Sequence, residues 1–279
     1  TLRTSVIEGD PQHLTITFDE LLRRTPFAAQ MRSMLEILER TYHSPVDMEF
    51  TLKVSQTQSG HPQLSLCILQ CRPQGYLKET AQVFLPSKLP EEDIVFSTRF
   101  VVPQGSIDGI DYVLFVPPEC YFALPSQEDR QKLRRAIGRL NAALEKETFI
   151  CVGPGRWGSS NSDLGVPIDY GDIYHTRALV ELAGQGIGPA PEPSLGTHFF
   201  QDLLESQIFP LALVLGDPET VFDHAFFYDA PNHLLDWIEA EPMIQNCLRL
   251  VRVQDVRPTY KLRVVMDDEK SLAVAFFIK

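Results

Sequence analysis

A glycine-rich segment supplies the first residues whose types and spacing suit chemistry. The apolar residues 149–152 predict a buried strand, and the chain then breaks at Gly153-Pro154-Gly155-Arg156-Trp157-Gly158. A turn of this kind lets the backbone approach a ligand closely, and its N–H groups can form an anion-binding concavity. Arg156 would add a planar cation suited to phosphate or carboxylate. We therefore predict an anion site formed by residues of this loop: Gly153, Gly155, Arg156, Gly158 and Ser159.

The same loop also fits a purely structural interpretation. In that alternative it is a tight turn whose Arg156 lies on the surface and stacks on Trp157. The pattern is neither GxGxxG nor GxxxxGK[ST], so the segment does not identify a standard nucleotide motif.

His198 is a second candidate, at a turn that enters a predicted helix. The sequence Gly196-Thr197-His198 would expose the imidazole near the helix N-terminus, where a bound anion is favoured. Two interpretations stay open. His198 is either an acid/base or phosphate-contacting residue, or a cap that makes a local hydrogen bond.

Two strand-like segments near the start of the chain carry a third candidate group. Residues 46–53 alternate strictly, which places Asp47 and Glu49 on one face, and Gln70 and Arg72 share a face of the segment 64–72. If the segments pair as a hairpin, the two carboxylates could hold Mg²⁺. Gln70 and Arg72 could then contact phosphoryl oxygens. The alternative is an ordinary antiparallel ribbon with its polar face in water.

The periodicity of apolar residues predicts the elements that would position these groups. Helices are predicted at 26–42, 127–146, 173–183 with Asp172 as N-cap, and 197–206. Strands are predicted at 15–18, 94–102, 110–116, 209–215, 247–253, 261–267 and 271–278, with a turn at 105–109.

Composition limits the classes of function. The chain has 279 residues, 44% hydrophobic content and a net charge of -12, which argues against non-specific binding to nucleic acid or to an anionic membrane. No apolar run approaches 18 residues, so a soluble, cytoplasmic protein is expected. The five cysteines are odd in number and lack CxxC spacing. Reduced, buried core residues are therefore expected rather than disulfides or a zinc site.

The segment 37–73 carries a family resemblance. ILERTYHSPVDMEF followed by LCILQCRP resembles the end of the ATP-grasp nucleotide-binding domain of the phosphoenolpyruvate synthase and pyruvate phosphate dikinase family, over about residues 15–75. The resemblance implies ATP and Mg²⁺ as cofactors. It implies that Glu49 is the metal-facing carboxylate with Asp47 as its neighbour, and that Gln70 and Arg72 lie near the terminal phosphates.

The chain also departs from that family. The upstream ATP-grasp half, the T-S-H phosphohistidine motif and a TIM-barrel pattern are not found in the sequence. A complete dikinase reaction by this chain alone is therefore not expected, and upstream domains of a longer parent are the expected partners. GPGRWGSSNSDLG and SLGTHFFQD resemble an uncharacterised domain of related large bacterial proteins, which gives a family but no reaction.

These observations predict two domains and leave the function open. Residues 74–93 are Pro-rich, and we place the domains at 1–75 and 76–279. The expected fold class is α/β or α+β, with a partial ATP-grasp-like helix and antiparallel hairpin docked on a larger mixed-sheet α/β domain. The first hypothesis is a fragment of an ATP-dependent phosphotransferase acting on a nucleotide and a small anionic substrate. The alternatives are a non-catalytic small-anion-binding or regulatory module and a protein-interaction domain.

Overall fold

The computed structural model describes residues 18–43, 45–56, 62–73, 85–86, 89–100, 102–184, 187–188, 193–194 and 198–279. The chain divides into two compact units, Thr1–Gly75 and Tyr76–Lys279. Helices accompany both antiparallel and mixed sheets, so the fold class is α/β or α+β, as predicted. Within the described ranges no helix is long and apolar enough to cross a membrane.

The first unit is a helical segment followed by a hairpin. Its elements are α1 (Asp19–Arg24), α2 (Phe27–Tyr42), β1 (Val46–Gln56) and β2 (Pro62–Pro73). The predicted helix and the predicted antiparallel pairing of the two strands are confirmed. The predicted strand at 15–18 falls almost wholly outside the described residues. The helix α2 ends where His43 adopts a left-handed conformation, φ 54°, a common helix stop.

An apolar face of the hairpin packs against α2. The side chains on this face alternate along both strands with period 2. Phe27 of α2 is buried, and its ring centroid lies 5.8 Å from that of Phe50. The face is formed by three cross-strand pairs: Phe50 with Ile68, Leu52 with Leu66, and Val54 with Leu64.

The second unit contains two five-stranded sheets. Its strands are β3 (Ile94–Thr98), β4 (Gly105–Ile110), β5 (Tyr112–Phe115), β6 (Phe149–Pro154), β7 (Ala178–Gly184), β8 (Phe209–Leu215), β9 (Val221–Phe222), β10 (Arg249–Arg252), β11 (Lys261–Asp267) and β12 (Leu272–Ile278). Its helices are α3 (Pro118–Phe122), α4 (Gln127–Ala143), α5 (His198–Glu205), α6 (His224–Tyr228), α7 (Leu234–Trp237), α8 (Pro242–Cys247) and α9 (Val253–Val256). Short 3-10 turns occur at Glu91–Asp93 and Tyr170–Asp172.

The two sheets differ in strand direction. In the mixed sheet, ordered β10-β5-β6-β7-β8, the strands β5 to β8 are parallel and β10 runs antiparallel to β5. In the antiparallel sheet the order is β4-β11-β12-β3-β9. Every residue of β6 and β7 is buried, as is typical of parallel strands covered on both faces.

Two apolar cores cover the faces of the mixed sheet. One lies between the sheets and joins residues such as Val152 and Leu211 to Val264 and Ala275. The other packs α3, α4 and α8 onto the opposite face of the mixed sheet. The predicted apolar stripe of α4 is confirmed, because its members are all buried: Leu133, Ile137, Leu140 and Leu144.

Two predicted elements of this unit were wrong, and the predicted bounds of a third were too wide. The helix predicted at 173–183 is the buried strand β7, preceded by a 3-10 turn. Asp172 is the third residue of that turn, and Asp169 is its N-cap. The turn predicted at 105–109 lies within the strand β4. The predicted strand 247–253 is confirmed at 249–252, where it is β10, and its end residues Cys247 and Val253 belong to α8 and α9.

The cysteines follow the prediction only in part. All five are free thiols, as expected, and Cys151 and Cys247 are buried. Cys67 is exposed, because it lies on the polar face of the hairpin rather than on its apolar face.

Candidate functional site

A bulge in the hairpin brings the four polar candidates onto one face. Asp47 lies opposite Arg72 and Glu49 opposite Gln70, whereas Phe50 lies opposite Ile68. The register therefore skips Leu69. Directly opposed residues share a face of an antiparallel ribbon, so the register places the two carboxylates, the amide and the guanidinium group on the same side. The side chain of Arg72 lies outside the described part.

The sequence itself accounts for this bulge. Leu64, Leu66 and Ile68 occupy even positions of β2, but so do the polar Gln70 and Arg72. A regular strand would put all five on one face, since the period of a strand is 2. One extra residue at Leu69, which is 61% exposed, changes the phase and separates the apolar group from the polar group.

The carboxylates of this face suit a divalent cation only as part of a larger ligand set. Asp47 is half-buried and Glu49 is exposed, and both supply oxygen, the ligand atom that Mg²⁺ prefers. Among the described residues no group of three or more His, Cys, Asp or Glu side chains is arranged to hold a metal. The donor set therefore fits one side of a magnesium–nucleotide site. Phosphate oxygens and waters would have to complete the coordination.

The glycine loop, residues 153–159, leaves the mixed sheet where β6 ends. This is the carboxyl edge of the parallel strands, where ligands bind in open α/β sheets. Gly155 adopts φ +65°, and a Cβ there would lie 2.0 Å from the carbonyl oxygen of Leu164. Gly165 pairs with Gly155 as an antiparallel bridge, and a Cβ on Gly165 would lie 2.4 Å from the backbone of Arg156. These close approaches explain why both positions are glycine.

The amides of the loop donate hydrogen bonds to the protein itself. Gly155 N–H donates to the Leu182 carbonyl at 2.9 Å, and Arg156 N–H donates to the Leu164 carbonyl at 2.9 Å. Gly158 N–H donates to the Val166 carbonyl at 3.0 Å. An anion at this loop would therefore depend on the Arg156 side chain and on neighbouring groups more than on these amides.

Trp157 is part of the core under the loop. It is 1% exposed, and a Cβ added to Gly153 would lie 2.4 Å from Cζ2 of its indole. The indole thus lies directly over Gly153, which fixes the turn between them. Arg156 is half-buried, whereas the residues on either side of it are buried.

A buried carboxyl group that the sequence analysis missed supports the loop. Glu181 of β7 lies opposite Gly153 in the sheet and is fully buried. Its Oε1 accepts the Trp157 N–H at 3.0 Å and the hydroxyl of Ser194, and its Oε2 accepts the Ser194 N–H at 2.6 Å. Burial raises the pKa of Glu181 to about 7, although the Ser194 and Trp157 hydrogen bonds and the charge of Arg156 act in the opposite direction.

Glu181 could have been noticed from the sequence. It is the sole charged residue of the apolar run ALVELAG, and a charge that interrupts a buried strand requires a polar partner. The helical assignment of 173–183 hid this signal, because a helix would have had room for Glu181 on a solvent face.

The helices α3 and α4 hold the segment that follows the loop. The Tyr121 hydroxyl lies 2.7 Å from the Ser162 carbonyl and 2.6 Å from the Gly165 carbonyl. Arg134 of α4 forms ion pairs with Asp172, at 2.7 Å, and with Asp169. The loop is thus a supported element rather than an isolated surface turn.

The start of α5 lies beside the glycine loop. His198 is its first residue, and the side chain of His198 lies outside the described part. The next residue, Phe199, contacts the loop: a Cβ added to Gly158, which has φ +73°, would lie 2.6 Å from the Phe199 ring. Phe199 also stacks on Tyr170, with ring centroids 5.1 Å apart. The structure therefore brings the backbone of His198 close to the loop predicted to bind an anion.

A polar cleft of 680 Å³ lies at the opposite edge of the mixed sheet. It is lined by residues that precede β6, β7 and β8, including Thr148, Arg177 and Gln207. None of the predicted site residues lines it. The amino edge of parallel strands is not where α/β sheets usually bind ligands, so the glycine loop stays the principal candidate in this unit.

A comparison with known protein families finds a similarity for the first part of the chain. Residues 7–93 match the family model described as "Pyruvate phosphate dikinase, AMP/ATP-binding domain". The match covers less than a third of the 279 residues and includes the whole hairpin. No curated protein and no solved structure matches the chain. The start of the chain is thus similar to a nucleotide-binding domain of the phosphoenolpyruvate synthase and pyruvate phosphate dikinase family.

Proposed function

We propose that this chain is a fragment of an ATP-dependent phosphotransferase resembling phosphoenolpyruvate synthase and pyruvate phosphate dikinase. One observation carries the proposal. The bulged hairpin places Asp47, Glu49, Gln70 and Arg72 on one face by register, within the segment that matches an AMP/ATP-binding domain. The rest of the ATP site would be supplied by upstream domains of a longer parent chain.

The hairpin residues would position and neutralise a magnesium nucleotide. Glu49 and Asp47 would bind Mg²⁺, and Gln70 and Arg72 would contact the terminal phosphates. Bound Mg²⁺ would bridge phosphate oxygens and reduce their negative charge. Phosphoryl transfer depends mainly on such positioning and charge neutralisation.

The second unit would present the small anionic substrate. Arg156 lies at the carboxyl edge of the parallel strands, and its positive charge lowers the pKa of the buried Glu181, against the larger effect of burial. His198, which begins the helix next to the loop, would then contact the same anion or move a proton. The proposal thus includes the roles predicted from the sequence: Arg156 as an anion contact, and His198 as an anion contact or an acid/base.

Nucleotide binding by the hairpin can be tested by NMR. A ¹⁵N-labelled full chain is titrated with Mg-ATP and with AMP. We expect shifts concentrated at the hairpin, with millimolar affinity corresponding to about 4 kcal/mol, because the site is incomplete. Arg72→Ala and Glu49→Gln should weaken the shifts. Lys53→Ala, a change on the same polar face but beyond the bulge, should leave them unchanged.

Three outcomes would count against parts of this proposal. Hairpin shifts that are absent at several millimolar Mg-ATP, or that persist in Arg72→Ala combined with Glu49→Gln, would remove the hairpin from the nucleotide site. Micromolar affinity of the isolated chain would show instead that no upstream domain is needed to complete the site.

The second candidate function is a small-anion-binding or regulatory module without catalysis. The position of Arg156 at the carboxyl edge, half-buried between two buried residues, favours it independently of the hairpin. The same titration with phosphate, pyruvate and phosphoenolpyruvate tests it. Binding lost in Arg156→Ala but kept in Arg135→Ala, an exposed arginine of α4, would support this function. Binding that survives Arg156→Ala would exclude the loop as the site.

A further inference from the structure

Two thiols from separate helices meet in the second unit. Cys120 belongs to α3, and Cys247 is the last residue of α8. The Cys247 Sγ lies 3.3 Å from the backbone carbonyl oxygen of Cys120, and each thiol affects the pKa of the other. Cys247 is 4% exposed and Cys120 is half-buried, so only Cys120 can be reached readily from solvent.

The groups around the pair keep both thiols protonated. The Cys120 Sγ lies 4.0 Å from Oε1 of Glu119, whose Oε2 accepts the Tyr228 hydroxyl at 3.0 Å. Burial and the Glu119 charge raise the pKa of Cys120, and burial raises the pKa of Cys247 to about 12. Arg249 is the cation that opposes this effect at Cys120. Its guanidinium group donates to the carbonyls of Phe227 and Ala230.

We propose that Cys120 and Cys247 are a modification site at which a small-molecule disulfide converts the two thiols into a reversible disulfide bond. The half-exposed Cys120 thiol loses its proton to solvent, and the resulting thiolate attacks the reagent, forming a mixed disulfide and releasing one thiolate. The Cys247 thiol then loses its proton, and its thiolate attacks the Cys120 sulfur and releases the second thiolate. The two released thiolates take up protons from solvent. Two protein thiols are oxidised, and one disulfide is reduced to two thiols.

The bond would act on the glycine loop through α3. Tyr121, next to Cys120, holds the Ser162 and Gly165 carbonyls through its hydroxyl group. Gly165 is in turn bridged to Gly155 of the loop. A bond from α3 to α8 would therefore restrain the helix that positions the loop. The redox state of the pair is linked by these contacts to the rigidity of the predicted anion site.

Peptide mapping of the full chain tests the proposal. The protein is incubated with oxidised glutathione, digested without reduction and analysed by mass spectrometry. We expect a cross-linked peptide that contains Cys120 and Cys247 and disappears with dithiothreitol. The melting transition should rise by about 5 °C or more on oxidation, since the bond closes a long loop of chain. The disulfide bond should form faster at alkaline pH because the attacking species is a thiolate.

Matched variants make the result decisive. Cys120→Ser and Cys247→Ala should each abolish the cross-link, whereas Cys67→Ser, which removes the exposed thiol of the hairpin, should not. Amide hydrogen exchange at residues 155–166 should slow on oxidation of the unaltered protein and stay unchanged in Cys120→Ser. Stable glutathione adducts on Cys120 with no cross-link would overturn the proposal. A bridge without slower exchange would overturn the link to the loop.

Discussion

The carboxylate of Glu181 accepts the backbone N–H of Trp157 at 3.0 Å, which joins the middle of a buried strand to the turn after the neighbouring strand. The same carboxylate accepts both donors of Ser194. Glu181 therefore connects the glycine loop to a segment that follows β7. Because the group is fully buried, its protonation state should govern how firmly the loop is held.

The first prediction is that Glu181 makes stability depend on pH. Its pKa is about 7 in the folded protein, above the ordinary value of 4.5, so the folded state binds the proton more tightly. The resulting stabilisation is complete below pH 4.5 and is lost as the pH rises through 7. The free energy of unfolding of the unaltered protein, minus that of Glu181→Gln, should fall by about 2.5 kcal/mol between pH 5 and pH 8.

Urea denaturation at the two pH values measures this difference. Glu205→Gln, an exposed change at the end of α5, is the control and should show no comparable change with pH. A difference between the unaltered protein and Glu181→Gln that is constant with pH would mean that burial does not raise the pKa of this carboxyl group.

The second prediction concerns Gly155. A methyl group at this position would meet the Leu164 carbonyl oxygen at 2.0 Å, and φ +65° is unfavourable for alanine. Gly155→Ala should therefore lower the free energy of unfolding by about 3 kcal/mol or more. Gly171→Ala is the matched control, because a Cβ there meets nothing within 4 Å and should change stability by less than about 0.5 kcal/mol. Equal losses of stability in Gly155→Ala and Gly171→Ala would show that the loop can relax around a side chain.

The third prediction tests the bulge of the hairpin. Leu69 is skipped by the register and is 61% exposed, whereas Leu66 lies on the apolar face opposite Leu52. Leu69→Gln should therefore change the free energy of unfolding by less than about 0.5 kcal/mol. Leu66→Gln, which makes the same chemical change, should cost about 1–2 kcal/mol. Equal costs for the two variants would place Leu69 on the packed face and contradict the register.

The sequence predicted the secondary structure best in segments whose apolar and polar residues fall on separate faces. The hairpin and α4 were predictable because one face of each is apolar and the other polar. The strand β7 was not, because all seven of its residues are buried and a short apolar run does not distinguish a strand from a buried helix. The strand β4 was hidden by its two glycines, Gly105 and Gly109, which resemble a turn.

The candidate sites show the same limit. Asp47 and Glu49 could be grouped from spacing alone, because residues two apart share a face of a strand. The grouping with Gln70 and Arg72 needed the cross-strand register, which fixes where the bulge lies. Glu181 reaches Ser194 from a different part of the chain, a tertiary contact that sequence periodicity does not encode.

The last prediction concerns His233, which lies between two carboxylates. Its Nδ1 is 2.6 Å from Asp236, and its Nε2 contacts Asp255. The hydrogen bond with Asp236, reinforced by Asp255, raises the pKa of His233 despite its partial burial. The protonated ring therefore contributes stability that is complete below its ordinary pKa of 6.5 and is lost as the pH rises through the raised value. His233→Gln should thus lower the free energy of unfolding by about 1–2 kcal/mol more at pH 6 than at pH 9, as measured by chemical denaturation.

His224→Gln, at an exposed ring stacked on Tyr228 with centroids 4.0 Å apart, is the control. A larger cost at pH 9 would mean that the neutral ring, rather than the cation, is the form that joins α7 to α9.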